Sequence, residues 1–205
     1  ILVAPYTLHD EVIRMIREES KAAKSGKEGR ILIKVNSLVD PQSINELYLA
    51  SQAGVRIDLI VRGICGLIPG VRGLSENIRV ISLLGRFLEH SRVFHFRNAP
   101  VGKRTFLGSP DWMPRNFFRR IEVAFPVEDP TEEAKIMESM EAFLRDNEFS
   151  THLKSKGQYI QPSKRRRPFS AQGHFISCSM NEAASKQDSD SGSSSRKTEN
   201  QSKGD

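Results

Sequence analysis

Two short motifs in the middle of the chain carry residue types that suit phosphoryl chemistry. In the first, His90 and Arg92 are two positions apart, which places both side chains on one face of a strand. A histidine titrates near neutral pH, and an arginine is a permanent cation whose planar fork of donors matches phosphate oxygens. The pair predicts a phosphate site, although a solvated histidine at a strand edge is the commoner interpretation of His-x-Arg alone.

The second motif begins at Gly108, where a predicted strand ends, and continues with Ser109 and Asp111. These two polar residues form a short hook that can contact a ligand or a neighbouring catalytic group. The competing interpretation is a helix cap, in which Asp111 closes the turn that leads to Asn116. The motif alone favours the cap.

Three more polar residues stand where parallel strands are predicted to end. Arg62 follows one such strand, and Lys34 and Asn36 lie at the end of the strand before it. In an open α/β sheet, ligands gather beyond the carboxyl ends of the strands, so these side chains are candidates for phosphate binding. The alternative for Arg62 is a surface ion pair with Asp58 or Glu76.

The elements that must position these residues are read from apolar runs and their flanking signals. Thr7 is predicted to cap a first helix, and Asp40 with Pro41 to start a second. A final helix of about 16 residues opens at Pro130. His95 falls on the opposite face from His90 and is predicted to be structural. The predicted strands are Ile1–Ala4, Ile31–Val35, Ile57–Val61, Ile78–Leu83, Ser91–Phe96, Thr105–Leu107 and Arg120–Val127.

These elements predict the fold class. Strand, helix and strand follow one another between residues 31 and 61, which indicates a parallel pair of strands joined by a crossover helix. Both strands are almost continuously apolar, as expected where helices cover both faces of a sheet. The predicted fold is a three-layer α/β/α sandwich with a mixed β-sheet.

The end of the chain has a different composition. Residues 161–205 include 11 serines among 45 residues, and Ile176 is the only Ile, Leu or Val among them. Such a segment buries too little apolar surface to offset its ordering entropy, so residues 1–160 are predicted to be the folded domain and residues 161–205 a disordered tail. The net charge of +6 suits an anionic ligand without identifying one. With two cysteines, no disulfide framework is predicted. Because the first residue is Ile1 and not Met, the chain is expected to be a fragment of a longer protein.

Taken together, the motifs resemble the second half of the phospholipase D superfamily signature, His-x-Lys followed by Gly-Ser-x-Asn. Arg92 replaces the lysine, Asp111 replaces the asparagine, and Arg97 stands where the superfamily has an aspartate. These departures argue against a phosphodiesterase and indicate one branch of the superfamily, the polyphosphate kinases. The resemblance to that family runs from Ile1 to about Tyr159 and is most specific at Asn36–Asp40, Ala50–Val55, Asp58–Cys65, Leu74–Arg79, Phe87–Arg92 and Ser109–Asn116.

The resemblance implies a reaction and the residues that take part in it. Members of this family reversibly move the terminal phosphate of ATP onto inorganic polyphosphate through a phosphohistidine of their first catalytic domain, where Mg²⁺ also binds. The chain resembles only the last domain, so neither the nucleophile nor a metal ligand is assigned here. Arg62 and His90 match two ATP contacts of the family. We add Arg92, Asp111 and Arg115 as candidates and predict that Asp111 orients His90 and fixes its tautomer.

The resemblance also implies partners and a location. ATP or ADP, inorganic polyphosphate and the remaining domains of the same enzyme are the expected partners, with homo-oligomerisation typical of the family. Neither specific nucleic-acid binding nor a transmembrane segment is expected, and the expected location is the cytoplasm or the periphery of the inner membrane. Two alternatives remain: a phosphodiesterase or nuclease half-domain, and a polyanion-binding module that uses Lys164–Arg167.

Overall fold

A computed structural model describes residues 1–162, 167–181 and 183. In the order of the chain, its elements are β1 (Leu2–Ala4), α1 (Leu8–Lys24), β2 (Arg30–Val35), α2 (Pro41–Gln52), β3 (Arg56–Val61), β4 (Ile78–Leu83), β5 (Val93–Phe96), β6 (Thr105–Gly108), α3 (Pro114–Phe118), β7 (Glu122–Pro126), α4 (Pro130–Arg145), β8 (Ser150–Leu153) and β9 (Tyr159–Ile160).

The described strands form one mixed sheet in the order β1-β7-β6-β5-β2-β3-β4-β8-β9. The three central strands β2, β3 and β4 are parallel, and every other pairing is antiparallel. The carboxyl ends of β2 and β3 therefore meet at one edge of the sheet. Lys34, Asn36 and Arg62, which lie at or just after these ends, are brought to that edge, as predicted.

Helices cover both faces of this sheet because successive strand residues point in opposite directions. On one face, Ile31 and Ile33 of β2 share a buried cluster with residues of α1 and α2, including Ile16 and Leu47. On the other face, Leu32 belongs to a second cluster that contains residues of α4. The predicted three-layer α/β/α sandwich with a mixed sheet is confirmed.

Two of the three predicted helix starts have the predicted chemistry. The Asp40 carboxylate accepts a hydrogen bond from the Ser43 amide at 2.8 Å, and Pro41 occupies the first turn of α2. Pro130 occupies the first turn of α4 as predicted, and Asp129, which was not predicted as a cap, accepts hydrogen bonds from the amides of Thr131 and Glu132. The predicted Thr7 cap is wrong: its hydroxyl accepts a hydrogen bond from the Val3 amide at 3.1 Å and makes no capping bond to α1.

Strand β5 begins later than predicted, at Val93 rather than Ser91. His90 therefore lies in a loop of residues 84–92, and the argument that strand alternation places it beside Arg92 is wrong. Two side chains contact this loop: Lys34 of β2 donates to the Ser91 hydroxyl at 2.9 Å, and Gln172 bonds the backbone of Phe87. Strands β8 and β9 were not predicted.

Part of the predicted disordered tail has regular structure. Residues 171–181 are helical, Ala171 is fully buried, and Phe175 packs edge-on against Phe143 of α4 at a ring-centroid distance of 5.2 Å. The expectation of disorder from residue 161 is thus corrected for 167–181, because a few apolar residues anchor a segment whose average composition is polar. Residues 163–166, 182 and 184–205 lie outside the described part of the chain, and with them most of the Lys164–Arg167 run. Among the described helices, none has the length and apolar character needed to cross a bilayer.

Candidate functional site

Three loops are held together at the carboxyl edge of the central strands. The residues after β2 lie between the loop after β3 and the turn after β6. The Leu38 amide donates to the Ile64 carbonyl at 2.9 Å, and the Trp112 amide donates to the Ser37 carbonyl at 3.0 Å. Gly63 lies so close that an added Cβ would be 2.9 Å from the Asn36 carbonyl oxygen, so only glycine fits without a shift. Residues distant in sequence therefore meet at this edge.

Asp111 is the carboxylate at the centre of these loops. One carboxylate oxygen, Oδ1, accepts hydrogen bonds from the amides of Asn36 at 2.7 Å and Ser37 at 3.3 Å. Arg92 donates to both carboxylate oxygens, Nε to Oδ1 and Nη2 to Oδ2, each at 3.2 Å. Burial alone would raise the pKa of Asp111, but the hydrogen bonds from Arg92 and from the two amides lower it below its usual value.

The competing interpretation of Asp111 as a helix cap is not what the structure shows. The residue that precedes α3 is Met113, and no side chain caps that helix. The side chain of Asn116 instead donates to Glu122 at 2.6 Å, and Ser109 also bonds Glu122. Asp111 is therefore free to hold the loop after β2 and the guanidinium of Arg92.

Arg92 lies between Asp111 and His90. Its Nη1 is 3.3 Å from the Nδ1 atom of the His90 ring and donates to the His90 carbonyl oxygen at 3.2 Å. Asp111 thus reaches His90 through Arg92 in the described residues, and the expectation that it orients His90 stays a prediction. The other terminal nitrogen of Arg92, Nη2, lies 3.5 Å from Nε2 of the same ring, so the guanidinium lies beside both ring nitrogens. The His90 side chain is exposed to solvent.

Lys34 is buried beneath the loop that carries His90. Its ammonium donates to the Ser91 hydroxyl at 2.9 Å and pairs with the Glu89 carboxylate at 3.3 Å. Burial lowers the pKa of Lys34; Glu89 opposes this shift, and the positive charges of Arg62 and Arg92 add to it. Lys34 is thus a buried anchor of the loop, close to both arginines.

Arg62 is a cation at this edge that has no acidic partner in the described part of the chain. Its Nε donates to the Asn36 side-chain oxygen at 2.8 Å. The expected alternatives do not occur, because Asp58 pairs with Arg30, Arg56 and Arg79 instead. Arg62 lines a cavity of about 210 Å³ with residues 83–89, directly beside the loop of His90.

A chain of contacts therefore joins the sequence-predicted residues. It runs from Arg62 through Asn36 to Asp111, and from there through Arg92 to His90. Lys34 lies next to it. Arg115 is exposed on α3, and no described contact connects it to the others. The buried Nδ2 of Asn36 has no partner in the described protein, which leaves an unused donor at this edge.

The carboxylates of this edge do not form a magnesium site. Asp111 is neutralised by Arg92, and Glu89 is bound by Lys34 and Gln172. Across residues 1–162, 167–181 and 183, no group of three His, Cys, Asp or Glu side chains could hold a metal ion. No chemical step is therefore assigned to a metal held by this chain.

His95 is a buried histidine, in contrast to the exposed His90. Its Nδ1 lies 2.8 Å from the Thr105 hydroxyl, and Glu133 is 3.8 Å away. Burial lowers the pKa of His95 to about 4, despite the opposing charge of Glu133. His95 is therefore a neutral core residue at physiological pH, in keeping with its predicted structural role.

Sequence reasoning missed Gln172, which clamps the loop of His90 from the C-terminal helical segment. Its side-chain oxygen accepts from the Phe87 amide at 3.0 Å, and its side-chain nitrogen donates at 2.8 Å to both the Phe87 carbonyl and the Glu89 carboxylate. Gly85 provides the space, since a Cβ there would lie 2.4 Å from the Gln172 amide oxygen. The polar composition around Gln172 led to a prediction of disorder, so no structural role was predicted for this residue.

We expect Gln172→Ala to loosen this loop. Three hydrogen bonds are lost, and at about 1 kcal/mol for the net value of each neutral bond the free energy of unfolding should fall by about 1–3 kcal/mol. Hydrogen exchange of the Phe87 amide should accelerate by about tenfold or more, which NMR can measure. Gln52→Ala, which removes one exposed bond to the Gly73 carbonyl, is the matched control. An unchanged Phe87 amide in Gln172→Ala would contradict the clamp.

Comparisons with known proteins agree on one family. A family model described as "Polyphosphate kinase C-terminal domain 2" matches residues 1–172. A polyphosphate kinase from Paraburkholderia phytofirmans is 51% identical over 167 residues, which are 80% of this chain and 23% of that protein. One from Synechocystis is 49% identical over 170 residues, again 23% of the relative. The chain thus spans about a quarter of the length of these curated relatives.

Solved structures extend the likeness to the fold. A polyphosphate kinase from Porphyromonas gingivalis superposes with a TM-score of 0.83 at 41% identity and covers 90% of this chain and 28% of that one. Nuc from Salmonella typhimurium, a phospholipase D family member, superposes with a TM-score of 0.51 at 13% identity, covering 78% of this chain and 96% of that one. The second likeness concerns the fold alone and confirms that it is phospholipase-D-like.

Proposed function

Because the chain belongs to the polyphosphate kinase family, as its C-terminal domain 2, we propose that it supplies the ATP-phosphate contacts of a polyphosphate kinase. The enzyme transfers the terminal phosphate of ATP reversibly to inorganic polyphosphate through a phosphohistidine on a domain outside this chain. The observation that carries the proposal is the position of Arg62, a cation without a carboxylate partner in the described residues, beside the loop that presents His90.

Arg62 provides the charge. Its Nε is occupied by Asn36, and the two terminal nitrogens of the guanidinium have no partner in the described protein. Two parallel N–H groups can bind two oxygens of one phosphate, which a lysine cannot do. Arg62 thereby neutralises charge on the phosphates of ATP during transfer.

His90 provides the titratable group. It is exposed at the same edge, and Arg92 contacts both ring nitrogens, Nδ1 at 3.3 Å and Nε2 at 3.5 Å; a phosphate oxygen reaches Nε2 by replacing the longer of these two contacts. In this position His90 faces the phosphorus opposite the attacking histidine, where it stabilises charge on the transferred group or exchanges a proton with the leaving oxygen.

The other candidates position these two groups. Asp111 holds Arg92, and Arg92 supports His90. Asn36 holds Arg62, and its unpaired amide nitrogen adds a donor for a phosphate oxygen after a small movement. Lys34 anchors the loop of His90 through Ser91 and Glu89. Exposed Arg115 contributes only by attracting the polyanionic substrate.

The remaining domains of the enzyme complete the proposal. They supply the phosphorylated histidine and the Mg²⁺ site, for which the described residues of this chain offer no group of three ligands. The partners are ATP or ADP, inorganic polyphosphate and those domains, within a homo-oligomer. The proposed location is the cytoplasm, with peripheral association at the inner membrane as the alternative.

The experiment compares the complete enzyme with this chain alone. With labelled ATP, the complete enzyme should form acid-insoluble polyphosphate, whereas the 205-residue chain should form little or none because its site lacks the nucleophile. A parallel assay should detect no hydrolysis of a generic phosphodiester by the chain. A complete enzyme that makes no polyphosphate would contradict the function, and phosphodiester hydrolysis by the chain would favour a nuclease-type half-domain.

A further inference from the structure

A second basic site lies at the edge of the sheet opposite to the candidate functional site. There a cavity of about 850 Å³ opens where β3 and β4 begin, at Arg56 and Arg79. Strand β8 runs antiparallel to β4, with Val80 paired to Leu153, and so brings His152 and Lys154 to the same place. The end of α4 and the described residues Gln161, Pro162, Arg167 and Phe169 line the other side.

The cations of this cavity exceed its acids. Arg145, Lys154 and Arg167 line the cavity, and none of them has a carboxylate partner within the described part of the chain. Two acids also line it, but both are already engaged. Glu141 pairs with Arg30, and Asp146 accepts hydrogen bonds from backbone amides, including that of Ala171 at 2.8 Å.

Arg56 and Arg79 add to this excess although they are not unpaired. Both pair with the single buried carboxylate of Asp58, at 3.2 Å and 2.8 Å, and Arg30 contacts that same carboxylate at 3.6 Å. Arg56 and Arg79 thus share one carboxylate, which Arg30 also contacts in addition to its pair with Glu141. The nearby cations also affect His152. Burial lowers the pKa of His152, and the positive charges of Lys154 and Arg79 lower it further.

The lining favours phosphate groups over bases. The one phenylalanine in the described lining, Phe169, is covered by Arg145, whose guanidinium carbon lies 4.4 Å from the ring centroid. The ring face of Phe169 that Arg145 covers is therefore not available for stacking with a nucleotide base. The stacked guanidinium still directs its N–H groups outward along its edge, where they can bind oxygen.

We propose that this cavity is a binding site for a linear inorganic oligophosphate, separate from the site that contains Arg62 and His90. Arg145, Lys154 and Arg167 bind the phosphate oxygens, and Arg56 and Arg79 extend the positive surface. The site binds without catalysis, because its described lining contains neither a nucleophile aligned with a base nor a metal site.

The test uses the 205-residue chain and sodium tripolyphosphate. Titration calorimetry should detect binding that weakens as salt is raised, and the amide NMR signals of Asn147, His152 and Lys154 should shift. Arg145→Gln combined with Lys154→Gln should weaken binding by about tenfold or more, because two charge-assisted contacts are lost. Lys154→Gln alone, which removes no described side-chain contact, should weaken it by about threefold to tenfold in a fold that is not disturbed.

The matched control is Lys27→Gln combined with Lys103→Gln. Both lysines are exposed, neither lines the cavity, and the double change alters the net charge by the same amount. This control should bind tripolyphosphate within twofold of the unmodified chain. Equal weakening in both double variants, or wild-type affinity in the cavity variants, would overturn the site. Tighter binding of a single-stranded oligonucleotide with the same number of phosphates would overturn the assignment to inorganic oligophosphate.

Discussion

Replacing Arg62 with alanine should lower kcat/KM for ATP in polyphosphate synthesis by the complete enzyme by at least about tenfold. Removing a preorganised cation from a transferring phosphate typically has an effect of this size or larger. The structure gives a specific reason to expect it, since no carboxylate competes for Arg62 and its terminal nitrogens are unpaired in the described protein. Steady-state kinetics with ATP as the varied substrate measure the effect.

Two further variants make the Arg62 experiment decisive. Arg62→Lys keeps the charge but loses the paired donors, so its kcat/KM should fall between those of Arg62→Ala and the unmodified enzyme. Arg72→Ala removes an exposed arginine from the loop after β3 and should leave the kinetics unchanged. If Arg62→Ala and Arg72→Ala behave alike, Arg62 does not contact the phosphates.

Replacing His90 with alanine should also lower polyphosphate synthesis by at least about tenfold, but through kcat rather than through ATP binding. His90 is exposed and makes its described side-chain contacts only with Arg92, so its loss should leave the stability of the fold nearly unchanged. The measurement is kcat for synthesis over a range of pH, together with the thermal unfolding temperature.

His90→Gln separates the two possible roles of the ring. Glutamine can donate a hydrogen bond but cannot titrate, so it should restore activity if His90 only stabilises charge, and fail if it exchanges a proton. His174→Ala changes a histidine of the C-terminal helical segment and should keep full kcat. Wild-type kcat in His90→Ala would remove this residue from the reaction.

The ends of the parallel strands were predictable from the sequence because each strand is a continuous apolar run. Those runs place Arg62 and Asn36 at the carboxyl edge of the sheet, whereas the Gly-Ser-x-Asp motif alone favoured a helix cap and did not predict that Asp111 lies beside them. Local pattern is sufficient here because strand direction alone decides at which edge a residue lies.

The loop of His90 was not predictable in the same way. Its path depends on Lys34 and Gln172, which are 56 and 82 residues away in the sequence from His90, and no local pattern records such contacts. The same is true of the link from Asp111 to His90, because the sequence motifs did not show that Arg92 lies between them. Strand β8 has Leu153 as its single strongly apolar residue, so pairing with β4 rather than composition decides its structure.

A crystal structure of the complete enzyme with a non-hydrolysable ATP analogue tests whether Arg62 and His90 act on one set of phosphates. We predict that both side chains lie at hydrogen-bonding distance, about 2.7–3.2 Å, from oxygens of the β- and γ-phosphates. An analogue whose phosphates contact neither residue would contradict the proposed site, even if the enzyme makes polyphosphate.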